Sequence, residues 1–153
     1  MTRKRKHRRA VLALPPRGLR PRLAPEQVRD LGLAHVVNLD AIARGEADEE
    51  ILWQWVGGVL TWSRVADLMQ VGVPEMHEQL DLATRLIERY GRDRRVTFEG
   101  PDYPTARVGV VVMDRLAEMV DVPTALAAAE WSERRVHEME LSLIHISEPT
   151  RRS

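Results

Sequence analysis

The sequence predicts an all-α protein, a compact bundle of four or five helices with a disordered basic N-terminal arm. Apolar side chains recur at helical spacing in segment after segment of the 153-residue chain. Glycine and proline residues stand between these segments, where helices end and begin. The short β-prone stretches have no partner stretch with which to build a sheet. The length suits one domain, which we expect to span residues 23–140.

The segment 49–71 is expected to be the central helix of this bundle. It contains three of the four tryptophans, and apolar residues occupy most of its circumference. A helix that is apolar on most sides is a buried helix. The pair Gly57-Gly58 lies in its middle, which indicates either the close approach of another helix or a kink.

Four further helices are predicted over residues 25–44, 74–90, 101–120 and 123–140. Gly91 is expected to end the third of them. A buried strand at 108–113, which is rich in β-branched residues, is the alternative to part of the fourth helix. Val96 and Phe98 in the loop 91–100 are expected to insert into the core. His35 lies in an apolar stripe and is expected to be a partly buried packing side chain rather than a metal ligand.

The sequence lacks the residues that several functional classes of protein require. The chain contains no cysteine, so disulfides and thiolate metal sites are excluded and a reducing, cytoplasmic compartment is expected. No segment has the ~20 apolar residues that a membrane helix requires. We find neither a nucleotide-binding fingerprint nor a nucleophile motif. We therefore expect no enzyme, with no catalytic residue, metal or cofactor.

Charge is segregated along the chain, although the net charge is zero. Residues 1–22 contain nine Arg and Lys and no acid, whereas residues 23–140 contain 12 Arg against 22 Asp and Glu, a net charge of −10. A cationic arm can neutralise nucleic-acid phosphates. A contact with its own acidic body or with another protein, or no specific role, is the alternative. A smaller basic cluster follows the third helix, and the candidate nucleic-acid-binding residues are Arg3, Lys4, Arg5, Lys6, Arg8, Arg9, Arg92, Arg94 and Arg95.

A second apolar stripe on the central helix gives a rival hypothesis. Trp53, Leu60 and Val71 lie away from the main apolar face. If the other helices leave this stripe uncovered, it is a subunit interface, and the protein is an oligomeric scaffold or a protein-interaction module. Burial inside the bundle is the alternative.

We interpret the last residues of the chain as a segment that does not derive from the natural gene. Residues 141–151 read LSLIHISEPTR, which matches the translation of an adapter used in transposase-based sequencing. We therefore expect residues 141–153 to be a non-native tail and leave them out of the functional argument.

The order of features from residue 3 to residue 140 resembles a known group of proteins. The chain has Arg3-Lys4-Arg5-Lys6, a Leu39-Asp40-Ala41 helix that ends at Gly45, a long apolar helix, and a helix start at Gly100-Pro101. This layout is similar to that of small uncharacterised helical proteins of phages and prophages of beta- and gamma-proteobacteria. The resemblance implies a phage-associated accessory role, but it implies no activity and no functional residue.

Overall fold

The computed structural model describes residues 20–147, which form five α-helices. These are α1 (Pro25–Ala43), α2 (Glu49–Met69), α3 (Val73–Asp93), α4 (Asp102–Met119) and α5 (Val122–Ser147). Extended pairing within this part of the chain is limited to one isolated bridge, between Arg22 and Asp121. The predicted all-α bundle is confirmed, and the alternative strand at 108–113 is part of α4.

Helix α2 is the centre of the bundle, as the sequence predicts. It is the one helix among the five that contacts all the others, and its Trp55, Val56 and Val59 side chains are fully buried. Helices α1, α4 and α3 neighbour one another in that order around α2. Helix α5 packs along the remaining side of α2 and touches α3 only slightly. Consecutive helices run in opposite directions, so the bundle has an up-and-down topology.

The glycine pair of α2 lies where α1 and α5 contact this helix. The carbonyl oxygen of Gly57 accepts a hydrogen bond of 2.8 Å from the Ser132 hydroxyl of α5. A Cβ atom at Gly58 would lie 3.3 Å from Nε2 of His35 in α1. Helix α2 continues without interruption through both residues. Close approach is therefore the correct interpretation for Gly58, whereas a Cβ atom at Gly57 would make only an ordinary contact of 3.7 Å with Val136.

The ends of α2 and α3 differ from the prediction. Helix α2 ends at Met69, because Gln70 adopts a left-handed conformation with φ 55° and closes the helix before Val71. Helix α3 does not end at Gly91 but continues to Asp93, and Arg94 takes the left-handed position instead. A glycine costs an α-helix only about 1 kcal/mol relative to alanine, so packing can carry a helix through it.

The predicted arm is shorter at its C-terminal end than the sequence suggests. The Val122 amide donates a 2.8 Å hydrogen bond to the Pro21 carbonyl, and Arg20 forms a 3.9 Å ion pair with Asp121. Residues 20–22 therefore belong to the bundle, where they join the start of α5. Residues 1–19 lie outside the described part of the chain.

Helix α5 extends seven residues past Glu140, the end that the sequence predicts. Leu143 in this extension is buried, and a Cβ atom at Gly91 would lie 3.2 Å from its Cδ1. The extension continues the spacing of Val136 and Met139, so its apolar side meets α3. The adapter origin of residues 141–153 stays a prediction.

Candidate functional site

Three of the candidate nucleic-acid-binding residues lie together at the C-terminal end of α3. Arg92, Arg94 and Arg95 are all exposed. The Arg94 guanidinium lies 5.2 Å from the centre of the Tyr90 ring, a cation–π distance. Arg92 is 3.9 Å from its neighbour Asp93. We call these three arginines the α3 basic cluster.

A buried ion-pair network holds the loop that follows this cluster. The Arg89 guanidinium donates to Oδ2 of Asp102 at 3.3 Å and also to the Thr97 carbonyl. Asp102 accepts a further 3.0 Å bond from the Glu99 amide and pairs with Arg85 at 3.2 Å. Arg89 and Asp102 are both buried. The network fixes the path of the chain between α3 and α4.

The apolar residues of the same loop insert into the core, as predicted. Val96 is buried, and Phe98 packs edge-on against Trp55 with their ring centres 6.4 Å apart. Phe98 also lies 6.1 Å from the ring centre of Tyr103. The α3 basic cluster is therefore carried by a well-fixed segment rather than by a free loop.

Acidic residues at the start of α2 lie close to the α3 basic cluster. The Tyr90 hydroxyl donates a 3.0 Å hydrogen bond to Glu49, which also accepts a 3.4 Å bond from the indole of Trp53. Burial and the Glu49 carboxylate raise the pKa of the Tyr90 hydroxyl. Asp48 caps α2 by accepting a 2.9 Å bond from the Ile51 amide. These carboxylates weaken the attraction that the cluster exerts on an anion.

The structure does not bring the α3 basic cluster to the point where the N-terminal arm leaves the bundle. Arg20 is joined to the start of α5, whereas the cluster lies beside the start of α2. Since α5 and α2 are antiparallel, these places are at opposite ends of a bundle about 30 Å long, the length of a 20-residue helix. The other candidates, Arg3, Lys4, Arg5, Lys6, Arg8 and Arg9, lie outside the described residues.

The predicted interface stripe is not free. Trp53 is 8% exposed and Leu60 is 7% exposed, because α5 covers this side of α2. Val71 is 36% exposed and lies beyond the end of α2. The three residues therefore do not form a continuous exposed surface, and the rival alternative, burial in the bundle, is correct for the two large side chains.

The sequence did not indicate the groove that opens between α3 and α5 over α2. The groove has a volume of about 520 Å³ and an apolar floor formed by Val56, Leu60 and Leu80, among others. Its rim carries both charges, and the Arg64 guanidinium lies 5.4 Å from the centre of the Trp131 ring. Periodicity could not reveal this groove, because it depends on how far α5 stands from α3.

His35 is a buried packing residue, as predicted. Its ring lies edge-on to Trp62 at 6.4 Å between ring centres. Burial lowers the pKa of His35 from 6.5 to about 4, so the ring is neutral at pH 7. Its Nδ1 atom has no hydrogen-bond partner within residues 20–147. This environment suits a core residue and gives no metal ligand set.

Between residues 20 and 147, no group of three or more histidine or acidic side chains is arranged to hold a metal ion. Each of the five helices is too short or too polar to cross a bilayer.

Comparison with known protein families, curated proteins and solved structures gave no match.

Proposed function

We propose that the protein is a non-enzymatic, phage-associated accessory protein that contacts nucleic acid non-specifically through its basic N-terminal arm. One observation carries the proposal: nine cations and no acid in residues 1–22, against a net charge of −10 in residues 23–140. Because an anionic body repels a phosphate backbone, binding depends on the arm. The resemblance to small phage and prophage proteins supports the biological setting.

The surroundings of the α3 basic cluster support a minor role for it in this binding. The Arg94 guanidinium lies over the ring of Tyr90, whose hydroxyl donates a hydrogen bond to the Glu49 carboxylate. Arg92 lies 3.9 Å from the Asp93 carboxylate. Partly neutralised arginines of this kind contribute less to a phosphate contact than unpaired ones. The arm, which contains no acid, supplies most of the binding free energy in this proposal.

Titration of the full chain with labelled DNA and RNA at 50 and 200 mM salt tests the proposal. If the arm neutralises six phosphates of duplex DNA, affinity should fall with a log–log slope of about −5, roughly a 10³-fold loss between these salt concentrations. A variant with Arg3, Lys4, Arg5 and Lys6 changed to Gln should lose most of the binding.

The matched control changes Arg92, Arg94 and Arg95 to Gln and should bind nearly as well as the parent chain. Equal binding by the arm variant and the parent would refute the proposal. Absence of binding by the parent chain at 50 mM salt would also refute the proposal. A role in protein interaction would then be the favoured hypothesis.

A further inference from the structure

Five aliphatic side chains are exposed on the outer side of the α1–α4 pair. The exposed fractions are Leu33 57%, Val36 47% and Val37 62% on α1, and Val108 49% and Val111 64% on α4. The outer face of a bundle helix is normally polar, and exposed aliphatic side chains concentrated on neighbouring helices indicate an interaction site. We call these five residues the α1–α4 patch.

The packing of α1 on α4 places the two halves of the patch at the same height on the bundle. A Cβ atom at Gly32 would lie 3.0 Å from Oδ1 of Asp114, so these two residues are level with each other in the antiparallel pair. Val36 is one turn after Gly32, and Val111 is one turn before Asp114. Both therefore lie at the same height on the bundle, and the remaining three residues are within one turn of them.

A segment of this chain outside the described residues has the composition and the reach to cover the patch. Residues 10–14 read AVLAL, an apolar run set between basic residues on one side and Pro15-Pro16 on the other. Leu14 is six positions before Arg20, and six extended residues span at most about 20 Å. Leu33 lies only about 12 Å along α1 from Pro25, at the end of the bundle where Arg20 is held.

The charges beside the patch favour the same occupant. Asp114 and Glu118 lie one turn apart on α4, between the patch and the end of the bundle from which the arm leaves. Neither forms an ion pair within the described range. Burial, and secondly the nearby Glu118 carboxylate, raise the pKa of Asp114, as expected where no cation compensates. Arg17 stands between residues 10–14 and Arg20, so it would pass these carboxylates.

We propose that residues 10–14 dock on the α1–α4 patch of their own chain, with Arg17 beside Asp114 and Glu118. The docked segment covers exposed aliphatic surface and holds the end of the arm close to the bundle. The cations at residues 3–9 then project from the middle of the bundle rather than from its end. This inference does not depend on nucleic-acid binding, because it concerns contacts within one chain.

The absence of native cysteine allows a direct test by disulfide formation in the full-length chain. Leu12→Cys is combined with Val37→Cys in the patch and, in a matched control, with Thr84→Cys. Thr84 is exposed at a similar height on α3, which is not a neighbour of α1 among the described helices. Both pairs are oxidised mildly, and the products are identified by non-reducing electrophoresis and mass spectrometry.

The docked segment should form the intrachain disulfide with Val37→Cys at least about tenfold faster than with Thr84→Cys, since docking raises the effective concentration. Adding Leu14→Asp should remove this difference. Equal rates for the two pairs would overturn the proposal, because the segment would then have no preferred position. A disulfide-linked dimer at Val37→Cys would also overturn it, and would assign the patch to a second copy of the chain.

Discussion

Replacing Gly109 with alanine should destabilise the protein, although alanine is the better helix former. A Cβ atom at Gly109 in α4 would lie 2.3 Å from both Cδ and Oε1 of Gln79 in α3, closer than real contacts allow. Gln79 is fully buried, and its Nε2 donates a 2.9 Å hydrogen bond to the Thr105 carbonyl. The new methyl group therefore forces this amide out of its place between the two helices.

The expected cost combines three effects. Overpacking a core costs about 1–3 kcal/mol, and leaving a buried amide without its partner costs about 1–3 kcal/mol more. The gain from replacing a helical glycine offsets about 1 kcal/mol of this. The net loss should be near 3 kcal/mol, measured as a shift of the urea unfolding midpoint at constant slope.

Two comparisons make this test specific for the close approach of α3 and α4. Gly57→Ala is a matched control in α2, since its Cβ would lie 3.7 Å from Val136, an ordinary contact, and it should be neutral or stabilising by up to about 1 kcal/mol. In a Gln79→Ala background the amide is gone, so Gly109→Ala should change sign and stabilise. A stabilising Gly109→Ala in the parent chain would refute the packing of these two helices.

Three further perturbations address the core, the buried histidine and the ion-pair network. Trp55→Ala should cost about 3–5 kcal/mol in urea unfolding, because the fully buried ring also packs on Phe98, and a loss under about 1 kcal/mol would contradict its central place. The lowered pKa of His35 contributes stability that is complete above pH 6.5 and falls by about 3 kcal/mol as the pH drops to about 4. His35→Leu should lose this pH dependence. If the free energy of unfolding falls equally for the variant and the parent between pH 6.5 and about 4, the contribution of His35 is disproved. Asp102→Ala should cost at most about 3–5 kcal/mol and speed hydrogen exchange in residues 94–101, because it leaves the buried Arg89 with only the exposed Glu99 carboxylate, 3.2 Å away. Unchanged exchange would show that the network does not hold the loop.

The helices were predictable because their signals are local. Asp48 caps α2 through a bond to a residue three positions away, and apolar spacing within each segment marks the side that becomes buried. The close approach at Gly58 was one of the two interpretations that the sequence offered for the glycine pair. Local rules fail where packing between helices decides where a helix ends. Periodicity and the glycine predicted that α3 ends at Gly91, but the helix continues to Asp93.

The features that concern function were mostly not predictable, because they depend on which segments meet. Arg89 and Asp102 are 13 positions apart, on different helices, and only the packing of α3 on α4 makes them a buried pair. Trp53 and Leu60 form a stripe in sequence, but the position of α5 decides that they are buried. Arg92, Arg94 and Arg95 share one list of candidates with the residues of the arm, and only the directions of the helices show that they lie at the opposite end of the bundle from Arg20.

That separation constrains how the two basic groups can act. A ligand that touches both the arm at its exit near Arg20 and the α3 basic cluster must extend about 30 Å along the bundle, past a body with net charge −10. Repulsion along this path costs free energy at low salt, where screening is weakest. The two groups should therefore contribute independently to any nucleic-acid affinity, so that neutralising both gives the sum of the two single losses in binding free energy. A combined loss well above that sum would mean that the arm folds back along the bundle and reaches the cluster.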